Sequence, residues 1–401
     1  VTSRVDRRAR IAVAAMFLTN GALFANLLPR YPGLKAELAL SNVEFGLVVA
    51  AYPSGALLAG LAAAALIRRF WSSRLAVAGT AITSVALFAA SFAPNGLLLA
   101  AAFAFGGAAD ALTDVAQNSH GLRVQRRFGR SIINGFHAIW SIGAVLGGLM
   151  GAAAVALQVP LPLHLGVSGA LFTLVAVLAY RWMIPGPEHD DVEVTTAGIR
   201  VVKAGASARG GSAKYLVLLA LVLLTVAGSV VEDSGSTWAA LYLSGSLEAP
   251  QALAAFGFIA LVGAQFVGRM LGDRLVDRFG ERRVAQAGGL VTALGMGVAL
   301  LFPSVGGTIA GFAAAGLGIA TLVPAALHAA DELPGFKPGT AITLVSWLMR
   351  LGFLAAPPLV GLLADATSLR VGLIVVPIAG VVAFLCAGVL AGRTRRSDPT
   401  S

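Results

Sequence analysis

Charge is scarce in this chain. Of 401 residues, 29 are Lys or Arg and 19 are Asp or Glu, or 12% together. A soluble domain carries about twice that share, so an ordinary water-soluble globule is excluded. Cysteine is scarcer still. The lone Cys386 excludes an intramolecular disulfide and a cysteine-based metal site. No close carboxylate–histidine pattern accompanies His120 and His137, so they are not read as metal ligands. There is no nucleophile elbow, phosphate loop or dinucleotide fingerprint, and the many glycines are scattered through apolar stretches. The chain is therefore read as a non-enzyme without a cofactor.

What is present is length of apolar sequence. The chain breaks into about twelve stretches, each long enough to cross a hydrocarbon core of about 30 Å. The expected spans are 11–31, 44–66, 75–93, 96–117, 132–156 and 162–183, then 215–243, 252–272, 284–303, 306–327, 340–362 and 370–392. Val1–Arg10 is basic, but the apolar stretch after it is too long for the core of a secretion signal, so it is read as a span. The fold class expected is an all-α membrane protein of twelve transmembrane helices in two six-helix halves. Residues 1–183 form the N-terminal half, 184–213 a cytoplasmic linker, and 214–401 the C-terminal half with a cytoplasmic tail. The linker includes Pro185, Pro187, Glu188, His189, Asp190 and Asp191 and has no long apolar run.

The positive charge is placed asymmetrically. Arg30, Lys35 and Arg370 sit in one class of loop and Arg350 inside a stretch. Nearly all other Lys and Arg fall in the tails or in every second loop. This is the positive-inside pattern over a whole polypeptide. It predicts a multi-pass protein of the inner (cytoplasmic) membrane with both termini in the cytoplasm. The net charge of +10 is spread over those loops, where it meets anionic lipid rather than nucleic acid. A chain of many spans with no ATP-binding module points to transport driven by a gradient.

Between spans 8 and 9 the sequence runs from Gly268 to Arg283. Its acid–basic–any–Gly–basic order is filled by Asp277, Arg278, Gly280, Arg282 and Arg283. This resembles the loop signature of the major facilitator superfamily. Asp273, Arg274, Asp277, Arg278, Gly280, Arg282 and Arg283 are read as a gate: the glycine permits a tight turn, and the aspartates hold helix ends and arginines. The first-half counterpart is degenerate. It has Arg68 where the acid belongs and Trp71 where the glycine belongs.

A narrower resemblance covers nearly the whole chain. Asp114-Val-Ala-Gln-Asn118, Phe136-His137 with Ser141 and Gly143, Glu232 with Trp238-Ala-Ala-Leu-Tyr-Leu243, and Gly352-Phe-Leu-Ala-Ala-Pro-Pro-Leu-Val-Gly361 resemble the fucose-permease-like, YbjJ-like bacterial branch of that superfamily. The resemblance implies a proton-coupled secondary transporter of sugar-like or other small polar solutes, working as a monomer. The chain departs from the branch at Thr237, where an acid usually precedes the tryptophan, and at Arg350, where a neutral residue is expected.

Ionisable side chains inside spans are costly, so each is a functional candidate. The proton-coupling candidates are Glu232, Asp110, Asp114 and Asp233. Asp110 and Asp114 are four apart and share a helix face, and two carboxylates that close resist ionising together. Adjacent Glu232 and Asp233 diverge by about 100° on a helix, so one is expected to face the cavity and the other a neighbouring helix. Arg350 needs either a fixed bridge to Glu232 or Asp110 or an anionic guest. The substrate-binding set is Asn20, Asn26, Asn118, His137, Trp140, Trp238, Gln265, Trp347 and Arg350. Amides and aromatic faces in this set suit a sugar-sized solute, although tryptophans also pack between helices. Asn118, His120 and His137 are read together as a gate cluster, and His328 and Asp331 as helix-end residues. The expected partners are a small-molecule substrate, protons and the lipid bilayer. Two alternatives stand beside symport: proton-antiport efflux of drugs or metabolites, and a non-transporting membrane sensor or assembly partner.

Overall fold

Lipid offers backbone groups no hydrogen-bonding partner, so apolar runs of this length must satisfy their own amides as helices. The computed structural model describes residues 4–128, 132–186, 213–336 and 339–390, and every regular element among them is helical. Twelve helical segments among the described residues are long and apolar enough to cross a membrane. The first six spans are α1 (Arg4–Ala25), α2 (Asn42–Gly60), α3 (Ser72–Ala90), α4 (Gly96–Phe128), α5 (Ile133–Ala156) and α6 (Leu161–Tyr180). The last six are α7 (Ala213–Gly245), α8 (Phe256–Phe279), α9 (Glu281–Leu301), α10 (Val305–Ile319), α11 (Thr340–Ala366) and α12 (Val375–Cys386). Helix α10 runs on into a second helix, Leu322–Asp331, and α12 is preceded by Leu369–Gly372. Residues 187–212 of the expected linker and the tail from 391 lie outside the described residues.

Local chemistry sets several helix ends. Ser41 and Glu44 form a reciprocal capping box at the start of α2. Ser304 accepts from the Gly307 amide at the start of α10. Gly280 turns the chain between α8 and α9 at φ 84° and ψ 152°. The degenerate first-half loop makes the same turn: a short helix, Ala63–Phe70, ends at Trp71 with φ 68° and ψ 147°. A side chain there is strained, and Arg74 stacks on the Trp71 ring at 4.1 Å. Losing the glycine has not cost this loop its shape.

Helices α1 and α5, α2 and α4, and α3 and α6 pack together, as do α7 and α11, α8 and α10, and α9 and α12. The two six-span sets meet chiefly at the far end, away from the start of α1 and the finish of α12. There α2 lies along α11 and α5 along α8. Glycines make the approach possible. A Cβ on Gly46 would overlap the Pro357 carbonyl, one on Gly361 the Asn42 carbonyl, and Gly148 lies against Phe258 and Ile259. Asp365 at the end of α11 then caps α2 from the opposite set. It accepts from the Asn42 amide (3.0 Å), the Val43 amide (2.8 Å) and the Asn42 side chain (2.8 Å).

Behind this seam lies a layer of rings. Phe24 meets Tyr52 (4.3 Å between centroids), Tyr31 meets Phe45 (5.2 Å), and Phe45 meets Trp238 of α7 (6.0 Å). Phe103 joins Tyr31 and Tyr52. The layer joins α1, α2, α4 and α7 near the far end.

Candidate functional site

The wall of the cleft formed by the first six spans is built around one amide. The Asn20 side-chain amide of α1 donates to Asp110 of α4 at 2.6 Å. Its carbonyl accepts from the Trp140 indole of α5 at 2.9 Å and from Gln117 at 3.2 Å. Gln117 also donates to Asp114 at 3.3 Å, and Asn118 donates to the same carboxylate at 3.0 Å. Asp110, Asp114, Gln117 and Asn118 fall at helical spacing on one side of α4, so an unbroken hydrogen-bonded chain links the two carboxylates. Tyr52 stands beside Asp110. Asp114 and His137 are exposed although both lie within spans. The charge of Arg350 reaches Asp114 and that of Arg269 reaches His137 from the other set.

The opposite wall carries Glu232, Gln265, Arg269 and Arg350. Gln265 of α8 donates to Glu232 of α7 at 2.8 Å. Asp233 points elsewhere: it neighbours Tyr31 and Thr237, and its Oδ2 is buried without a hydrogen-bond partner. Arg269 donates from Nη1 to Ser141 of α5 at 3.5 Å, the longest limit of a hydrogen bond. Its position is masked in the sequence by the basic run that opens at Gly268; the signal that separates it is its place near the middle of α8. Among the described residues Arg350 is bonded to neither Glu232 nor Asp110, whose carboxylates accept from Gln265 and Asn20 instead.

Other candidates are placed elsewhere. Asn26 is buried at the far end, where His164 Nε2 lies 2.7 Å from its Oδ1. Arg30 donates to His164 Nδ1 at 3.2 Å and to the Val159 carbonyl at 2.7 Å. This fastens α1 to α6. Trp238 is fully buried in the ring layer. Trp347 is 57% exposed and stacks on no other ring among the described residues. His120 does not join Asn118 and His137: it is buried 2.9 Å from Ser72 and accepts from the Ile184 amide at 3.2 Å, tying α4 to α3 and to the end of α6. In the gate, Gly280 makes its turn, while no bond between Asp277 and its neighbouring arginines is seen among the described residues. Nearby, His328 lies 3.2 Å from a Glu281 carboxylate oxygen and 3.8 Å from one of Glu332. No cluster of metal-ligating residues occurs among the described residues.

A profile of the Major Facilitator Superfamily matches residues 13–275 and 231–401. The chain belongs to that superfamily. It is a multi-pass membrane transporter, not an enzyme, and its relatives agree. It is 28% identical over 390 residues to a protein described as membrane protein MosC of Rhizobium meliloti, covering 97% of this chain and 91% of that one. It is 28% identical over 380 residues to the uncharacterized transporter y4wD of Sinorhizobium fredii, covering 94% and 97%. Solved structures share the major facilitator fold at low identity. The nucleoside transporter NupG aligns with a TM-score of 0.70 at 13% identity, covering 96% of this chain and 99% of that one. A D-xylose–proton symporter aligns with a TM-score of 0.68 at 14% identity, covering 95% and 96%.

Proposed function

We propose that this major facilitator is a secondary active transporter of a small polar solute, sugar-like or an organic anion, working by alternating access in symport with protons. It works as a single chain in the inner membrane with both termini in the cytoplasm. The observation that carries this reading is the charge between the two sets: amide-held carboxylates of the first six spans lie within reach of guanidinium groups from the last six, and we read the space between them as a cleft sealed at the far end and open at the basic end. The positive-inside pattern makes the open end cytoplasmic, so the cleft faces inward. The motifs around Asp114, His137, Glu232 and Gly352 support membership of the fucose-permease-like branch. Solved structures with this fold include a nucleoside transporter and a D-xylose–proton symporter, which supports a hydrophilic cargo. So does the density of amides in the cleft, a poor lining for lipophilic drugs.

In this reading Glu232 carries the coupled proton and the Asp110–Asp114 pair responds to it. The two six-span sets rock about the central site, and the second-half loop from Asp273 to Arg283 acts when the basic end closes. The test uses proteoliposomes with an imposed pH gradient. In Glu232→Gln, gradient-driven accumulation is expected to disappear while solute exchange persists. Accumulation at the wild-type level in that variant overturns the role of Glu232.

A further inference from the structure

We propose that the solute is a small organic carboxylate and that Arg269 and Arg350 together bind its anionic group; this rests on the transporter reading above. Among the described residues, each acid facing the cleft has an amide: Asp110 has Asn20, Asp114 has Gln117 and Asn118, and Glu232 has Gln265. The guanidiniums are not answered in the same way. Each offers five N–H groups and cannot be deprotonated. Arg350 makes no hydrogen bond or ion pair among the described residues, and Arg269 makes the one long bond to Ser141. Both lie within membrane-spanning helices, where an ionisable side chain is a functional candidate. They stand on two separate helices, α11 and α8, and act on neighbouring groups of the first set, Arg350 on Asp114 and Arg269 on His137, which also act on each other.

Asp114 indicates the chemistry of that group. It is the acid whose charge reaches Arg350 across the cleft, and it is a carboxylate. It therefore acts as the resident competitor for Arg350. The groups around Asp114 are Asp110 on its own helix, His137 on α5 with Arg269 beyond it, and Arg350 on α11. A proton taken by Asp114 removes the competitor, and Arg350 is then free for the solute. Protonation of Asp114 and binding of the anion thus favour each other, while Glu232 carries the coupled proton as proposed above.

The experiment is a thermal-shift measurement on the purified full-length chain with matched solutes: glucose against gluconate and glucuronate, glycerol against lactate, with glucosamine and glucose 6-phosphate as other charges. A ligand that binds only the folded state raises its Tm. At least one carboxylate is expected to raise Tm where its neutral partner does not. Arg350→Gln and Arg269→Gln are each expected to weaken that response at least tenfold, and Arg350→Lys to weaken it less. Asp114→Asn is expected to tighten carboxylate binding near neutral pH and to flatten its pH dependence, which a purely structural role would not do. The proposal is overturned if no carboxylate shifts Tm, if only the phosphate or the amine does, or if neutral solutes act equally in wild type and Arg350→Gln. Proton-driven uptake of a neutral solute would leave the transporter reading standing and remove the anion. Absence of uptake of any solute under any gradient would remove the transporter reading itself.

Discussion

The two ends of this molecule are closed by different means. At the far end the closure is made by small residues and backbone: Gly46 on Pro357, Gly361 on Asn42, and a carboxylate capping a helix that belongs to the other set. At the basic end the machinery is side-chain charge: Arg127 pairs with Asp6 (3.5 Å) and His328 lies beside Glu281 (3.2 Å), while no bond between Asp277 and its neighbouring arginines is seen among the described residues. Close backbone packing is all-or-nothing, because a missing or added methyl changes it at once. Charge pairing across water is graded and responds to protons and solutes. The far end therefore acts as the seal, and the basic end and the cleft as the sensor.

The comparison can be broken most sharply at the seal. Gly361→Val places a branched side chain against the Asn42 carbonyl. Overpacking of this kind costs about 1–3 kcal/mol. The variant is expected to lose transport almost entirely and to expose far-end cysteine reporters to a membrane-impermeant thiol reagent. Wild-type protection of those reporters would show that the seal lies elsewhere. Asp365→Ala is milder. Loss of a helix cap costs about 0.5–2 kcal/mol, a shift of about 2- to 30-fold between conformers, readable as a change in spin-label distances across the α2–α11 seam. Asp365→Asn, which keeps an acceptor, is expected to shift it less. The smallest effect concerns the first-half turn. Trp71→Gly relieves the strained backbone but loses the ring under Arg74, so Tm is expected to rise by about 2 °C or less. Trp71→Ala keeps the strain and loses the ring, so its Tm should fall. A Trp71→Gly protein less stable than Trp71→Ala would mean that the turn is not strained.

Much of the fold was legible because lipid imposes length and apolarity on every span. All twelve spans have a helical counterpart among the described residues, and departures occur at the ends. Span 4 is expected to stop at 117, where polar residues begin, yet α4 continues to Phe128. Its extension is fastened by Arg123, which donates to the carbonyls of Ile184, Pro185 and Gly186, a partner that hydropathy does not register. Span 2 is expected to run to 66, but the chain bends after Gly60 and restarts at Ala63.

The candidate site was legible where one helix carries it. Asp110 and Asp114 share a face by spacing alone, and Glu232 and Asp233 diverge by the same rule. What spacing cannot supply is pairing between helices. Asn20 and Asn26 look alike in the sequence, yet one is the hub of the cleft and the other is tied to His164. Asp365 reads as an ordinary helix-end acid until α2 is found beside it. The degenerate loop has a related lesson: its letters changed while its backbone angles stayed with those of Gly280.

The ring layer has an electrical consequence. In the inward-open state proposed above, the cleft is water-filled and conducts, so the membrane voltage does not fall along it. It falls across the thin sealed zone of Tyr31, Phe45, Trp238 and the α2–α11 seam. Moving one elementary charge through 100 mV is worth about 2.3 kcal/mol. Groups in the cleft, among them Asp114, Glu232 and Arg350, thus sit near the potential of the basic end, and a change in voltage acts on them chiefly when the seal moves from one side of them to the other.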